Sequence, residues 1–291
     1  MNRRAILSSL GALLFSAFAA LTVSRLVAKR PTRARTGPLR VVSLSPALTE
    51  TLLALGSGSA LVGISDFCEM PPSMKLPRVG TALTPSYEAI AALEPALILS
   101  DGSVGSKGRA LGELAPTEIL PWLTLSEVVK STRRLGELVG KQTAAGALAS
   151  ELQARLVKQP PPNAPRVLLL LSYDPARPHE IWFIKRNSLH GAALAAAGAK
   201  NAVDRDIPGL PKLGVEELVA LDPDRVVIIP PPGSSPERQR EMVSAFAENI
   251  PVRAAREGRV ATIHAAQSVG PSILELVDVL EQALVSGARQ E

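Results

Sequence analysis

The chain has one cysteine, Cys68, in 291 residues, so no disulfide can close within it and no cysteine-rich zinc or iron–sulfur site can be built. Aromatic residues make up only 3%, so a ligand gripped between rings must be gripped by very few of them. The three histidines, His179, His190 and His264, are scattered, and direct zinc or manganese binding would need several such ligands converging with carboxylates. No Gly-x-Ser-x-Gly elbow, Walker loop, dinucleotide glycine fingerprint or HExxH occurs, which argues against an enzyme and gives no resident cofactor. Gly102-Ser103-Val104-Gly105-Ser106-Lys107 is rich in glycine but lacks P-loop spacing. It reads as a strand-to-helix turn with free amides.

Acidic residues are absent from the first 35 positions, which hold Arg3, Arg4, Arg25, Lys29, Arg30, Arg33 and Arg35. The formal charge of +5 belongs to that stretch, because setting those seven aside leaves 25 basic residues against 27 acidic ones. A nearly neutral remainder has no basic face for nucleic acid. Arg3-Arg4 followed by an uncharged apolar run over residues 5–23 reads as an export signal or anchor. The paired arginines with Ile6 and Leu7 resemble a twin-arginine signal, and an extracytoplasmic (periplasmic) location follows. Ala17-Phe18-Ala19 offers a cleavage site, whereas Val23 and the basic residues after it suit an uncleaved anchor at the inner membrane, so both fates stay open.

What is present is an internal repeat. Tyr87-Glu88-Ala89-Ile90-Ala91-Ala92-Leu93-Glu94-Pro95 leads into an apolar run, and Val215-Glu216-Glu217-Leu218-Val219-Ala220-Leu221-Asp222-Pro223 does the same. Each is a short helix stopped by proline, then a strand buried on both faces. Leu76-Pro77-Arg78-Val79-Gly80 is echoed by Leu210-Pro211-Lys212-Leu213-Gly214, and Arg40-Val41-Val42 by Arg166-Val167-Leu168. An alanine- and leucine-rich helix after each first strand ends in glycine, at Gly56 and Gly198. The repeat predicts an α/β protein of two Rossmann-like lobes with mostly parallel sheets. A helix over 126–139, capped by Ser126 and stopped by Gly140, and a second over 143–158 ended by Pro160-Pro161-Pro162 join them as a stiff strut. Large hinge closure is therefore not expected. The expected boundaries are 1–35 for the leader, 36–140 and 164–291 for the lobes, and 141–163 for the connecting helix. An amphipathic helix over 271–284 closes the second lobe.

Arg40–Ser45 with Pro46, Thr49-Glu50, Val62-Gly63-Ile64-Ser65, Pro71-Pro72, Leu76–Gly80, the two glutamate-bearing helices and the long connecting helix come in a specific order. In that order the chain resembles the helical-backbone (class III) periplasmic binding proteins that serve iron-siderophore, haem and cobalamin ABC importers. The resemblance covers roughly residues 38–285. It implies a monomeric, non-catalytic capture protein that holds a metal chelate between its lobes and delivers it to a permease and ATPase. It also implies that Glu88 and Glu216, one per lobe, dock onto permease arginines. Matched lobes would present the same carboxylate to a symmetric partner. Helix-start acids also favour the dipole by about 0.3–1 kcal/mol, which is the bland alternative.

Candidate ligand contacts are Ser45, Phe67, Cys68, Tyr87, Ser103, Trp182, Arg186 and His190, on loops at strand ends. A ferric siderophore, an anionic chelate, would draw on Lys107, Arg109, Lys185 and above all Arg186, and ranks first on that ground. Cobalamin binders of the family flank the corrin with aromatics. Phe67 matches one such position, while Ala82 and Gly209 stand where others would be, with Trp182 or Phe183 as substitutes. Haem would take Tyr87 and His190 as axial ligands. Cys68 is a soft metal ligand or a small buried hydrophobe. A membrane-anchored sensor, or a metal-cofactor enzyme of the two-lobed chelatase or nitrogenase-like type, remains the alternative.

Overall fold

Short apolar runs between proline and glycine become strands, because a segment covered on both faces can afford no polar alternation. The computed structural model describes residues 38–207, 211–263 and 270–286. The segment expected to be an export leader, together with Gly209, Leu210 and His264, lies outside them. In the first lobe β1 (Val41–Ser43), α1 (Pro46–Ala54), β2 (Leu61–Ile64), α2 (Tyr87–Ala92), β3 (Leu97–Ser100), α3 (Gly108–Leu114) and β4 (Thr117–Ile119) alternate. Their strands form a parallel sheet in the order β2-β1-β3-β4.

Two helices follow, α4 (Leu125–Leu138) and α5 (Gln142–Leu156), packed on each other. The cap of α4 is Thr124, not Ser126. Thr124 accepts from the Glu127 N–H while the Glu127 carboxylate accepts from the Thr124 N–H, a complete capping box.

The second lobe contains β5 (Arg166–Leu170), β6 (Ile181–Trp182), α6 (Leu189–Ala196), β7 (Lys200–Asn201), β8 (Lys212–Leu213), α7 (Val215–Leu221), β9 (Arg225–Ile228), α8 (Pro236–Asn249), α9 (Arg253–Arg256), β10 (Val260–Thr262) and α10 (Ile273–Ser286). Its parallel sheet runs β7-β5-β9-β10, which repeats the connectivity of the first lobe. The echo extends to turns. Gly56 and Gly198 end α1 and α6 at φ +66° and +91°, and the residue after each donates back to the helix, Ser57 to Leu52 and Ala199 to Leu194. Glu94 and Asp222, the residues before Pro95 and Pro223, sit at φ +42° and +40°. The Leu-Pro-Arg/Lys echo diverges in pairing: Arg78 bridges Ile64 in parallel, whereas β8 pairs antiparallel with β6.

The strands divide their side chains between cores. Val41 and Leu99 from the first lobe, and Val167 and Leu169 from the second, enter one cluster with Leu48 and Leu52 of α1, Leu152 of α5 and Ile273, Leu276 and Leu280 of α10. Their alternate neighbours, Val42 and Ile98 or Leu168 and Leu170, face separate outer clusters. One apolar body therefore runs through both lobes. Each such leucine or isoleucine contributes about 1.5–3 kcal/mol by burial, so prising the lobes apart is costly.

Candidate ligand-binding site

In both lobes the carboxyl ends of the parallel strands share one edge, where ligands of open α/β sheets sit. On the first lobe the loops at that edge hold three large apolar side chains in solvent. Phe67, in the loop after β2, is 74% exposed, and Leu123, after β4, is 77% exposed. Leu83, in the turn closed by the Gly80–Pro85 bridge, is 61% exposed. Large hydrophobic side chains held in water on loops cost free energy unless something covers them.

The loop bearing Phe67 is braced. One nitrogen of the Arg78 guanidinium, Nη1, donates to the carbonyls of Ser65 at 2.8 Å, Asp66 at 3.1 Å and Cys68 at 2.6 Å. The Asp66 N–H donates to the Gly80 carbonyl, and the Gly80 N–H donates to the Asp66 carboxylate. Phe67 thus projects from a fixed platform instead of a slack loop.

Beneath it, Thr49 Oγ1 donates to Ser43 Oγ at 2.8 Å and lies 3.1 Å from the Cys68 sulfur. Cys68 is buried, and that burial raises its thiol pKa, so it behaves as the small core residue and not as an exposed soft ligand. Ser45 is also buried, its hydroxyl without a partner among the described residues. Ser103 is exposed on the turn after β3, its N–H and hydroxyl both given to Asp101. Lys107 closes this turn and Arg109 follows it, and neither makes an ion pair among the described residues. Tyr87 is partly exposed at the first position of α2.

On the second lobe, Trp182 is partly exposed with Lys212 Nζ 5.7 Å above its ring. At the end of β5, Leu171 is exposed and Ser172 holds φ +81°, a conformation that side chains rarely adopt. Arg186 is not a waiting cation: Nη1 donates to Asp204 at 2.8 Å and Nε to Asp206 at 3.1 Å. It lines a lateral cavity of about 790 Å³ with those aspartates, Lys200 and Arg166. His190, at the second position of α6, is 5% exposed, and burial lowers its pKa to about 4. Its neutral imidazole is a half of the Tyr87–His190 haem pair that offers no open nitrogen at the surface. Among the described residues no group of three His, Cys, Asp or Glu is arranged to hold a metal ion.

Glu88 and Glu216 occupy the same place, the second position of α2 and of α7, and both are exposed. Neither forms an ion pair among the described residues, whereas the adjacent Glu217 is held by Arg205. Sequence reasoning placed the loop Thr81–Tyr87, and with it Leu83, at the cleft without singling out that side chain, and it gave Leu123 and Arg78 no role at the site. Leu83 sits in Thr81-Ala82-Leu83-Thr84-Pro85, where an apolar residue framed by turn formers is a signal for an exposed loop tip.

The parallel, twice-written architecture with its ligand edge is that of a two-lobed solute-binding protein, and the family model for periplasmic binding proteins matches residues 41–266. The chain belongs to that family, whose matched members are substrate-binding proteins and not enzymes. It is 30% identical over 207 residues to the cobalamin-binding protein of Halobacterium salinarum, covering 65% of this chain and 53% of the relative. It is 30% identical over 150 residues to the Fe(3+) dicitrate-binding periplasmic protein of Escherichia coli, covering 50% and 49%. The chain thus spans about half the length of these curated relatives. A periplasmic heme binding protein from Pseudomonas aeruginosa superposes with a TM-score of 0.67 at 27% identity, over 86% of this chain and 92% of that one.

Proposed function

We propose that this chain is the extracytoplasmic capture component of an ABC importer and that its ligand is a metal chelate with a broad apolar face, a corrinoid such as cobalamin before any other. The observation that carries the reading is the exposed trio Phe67, Leu83 and Leu123 along one strand-end edge. Covering such side chains supplies binding free energy to a macrocycle in a way that a small, highly charged chelate cannot match. The family relationship supports the capture role, and a cobalamin-binding relative supports the class of ligand.

A ferric siderophore is the second reading. Its strongest sequence support was Arg186, and that guanidinium is committed to Asp204 and Asp206. Lys107 and Arg109 remain as the cations it would use. Haem ranks third, because His190 is buried.

Delivery to a permease and its ATPase would run through Glu88 and Glu216, which are matched in helix position and exposed, with no ion-pair partner among the described residues. Desolvating a carboxylate against a permease arginine contributes more than a screened surface pair does. The leader would carry the chain out of the cytoplasm by a twin-arginine route.

Tryptophan fluorescence tests the ligand assignment, since Trp122 follows β4 beside Leu123 and Trp182 lies on the second lobe. Saturable quenching by cyanocobalamin, with weaker responses to haemin and a ferric siderophore panel, is expected. Phe67→Ala should then weaken binding by roughly ten-fold, the usual cost of removing a central aromatic anchor. A tight response to a siderophore alone would overturn the corrinoid assignment and leave Lys107 and Arg109 as the site to examine.

A further inference from the structure

Glu50 belongs to α1 of the first lobe, yet its carboxylate reaches across to the second. The Ser272 N–H, just ahead of α10, donates to Glu50 Oε1 at 2.5 Å across 222 residues of sequence. The carboxylate lies so close to Gly270 that a Cβ at that position would collide with both of its oxygens. A negative group at the start of a 14-residue helix also sits at the positive end of that helix's dipole. Around this polar contact, Leu48 and Leu52 of α1 share one buried cluster with Ile273, Leu276, Val277 and Leu280 of α10, which packs in turn on α5 and α6.

We propose that Glu50 is the fastener that fixes the second lobe's closing helix to the first lobe, and so sets the spacing of the two strand-end edges in the unliganded protein. It is a positioning residue that need not touch the ligand, and the inference stands whichever chelate is bound. Apolar contact alone resists separation but tolerates sliding, because it is non-directional. A short charge-assisted hydrogen bond to one backbone N–H fixes register. Gly270 follows from the same geometry, since only a residue without a Cβ leaves room for the carboxylate.

The test uses the full chain with Cys68→Ala and spin labels at Lys75→Cys in the first lobe and Glu248→Cys in the second, both exposed positions. A single narrow distance distribution is expected with Glu50 intact. Glu50→Ala should broaden or split it, and Gly270→Ala, which leaves Glu50 in place but expels its carboxylate, should do the same. Glu50→Gln should fall between. Circular dichroism and melting of each variant separate loosening from loss of fold, because a purely stabilising role lowers the melting temperature without widening the distribution. Distributions as narrow as the parent's in folded Glu50→Ala and Gly270→Ala would overturn the assignment.

Discussion

His190 shows how burial sets chemistry at a single residue. An ordinary imidazole titrates near 6.5, and burial brings this one to about 4. The folded state therefore prefers the neutral form. The associated stability is complete above pH 6.5, falls as the pH drops towards 4, and changes no further below it. Between pH 7 and pH 5 the loss should be about 2 kcal/mol, from 1.36 kcal/mol per pKa unit. Urea unfolding of the parent and of His190→Leu at both pH values measures it: the variant should lose that part of the pH dependence, and an unchanged slope would place the titration elsewhere. At this scale the sequence was least informative. Nothing in Ser188-Leu189-His190 says that the ring turns inward. Nor does Lys185-Arg186-Asn187 reveal that Asp204 and Asp206, some 20 residues on, occupy the guanidinium. Such pairings depend on how a loop returns after β7.

Helix α4 makes the point at the scale of an element. Its start was misplaced by two residues because Thr124 and Ser126 are both good caps, but only Thr124 has glutamate three positions later. The Thr-x-x-Glu spacing was readable and decides between them. Thr124→Ala should cost about 1 kcal/mol and lower the melting temperature by roughly 2–4 °C, whereas Ser126→Ala should be nearly silent. Scanning calorimetry of the two variants checks this, and equal effects would contradict the box. Elements were otherwise legible because they were written twice. Helices α2 and α7, each followed by a positive-φ residue, a proline and a buried parallel strand, carry the same local instructions in both lobes. The antiparallel β6–β8 pair was not foreseen, since two-residue strands leave almost no periodic signal.

The whole molecule inherits its behaviour from the shared core. Alternate residues of β1 and β5 enter one cluster that also receives α1, α5 and α10, so the lobes are faces of one packed body and not beads on a linker. That arrangement suits the proposed capture by a nearly preformed cleft, in which Glu88 and Glu216 would be held in place for the proposed docking on a permease. Family and topology were legible from the order of motifs; ligand identity was not, because the proposed contacts, Leu83 and Leu123 among them, stand on loop tips where single substitutions change the surface without disturbing the pattern. The most direct test of capture and delivery is uptake in cells that depend on this protein, with Glu88→Lys and Glu216→Lys combined. Ligand binding by the purified variant should match the parent while uptake is lost, each single reversal giving a partial defect. Uptake equal to the parent's would contradict docking through the paired carboxylates, and loss of binding together with uptake would place those glutamates in the ligand site instead.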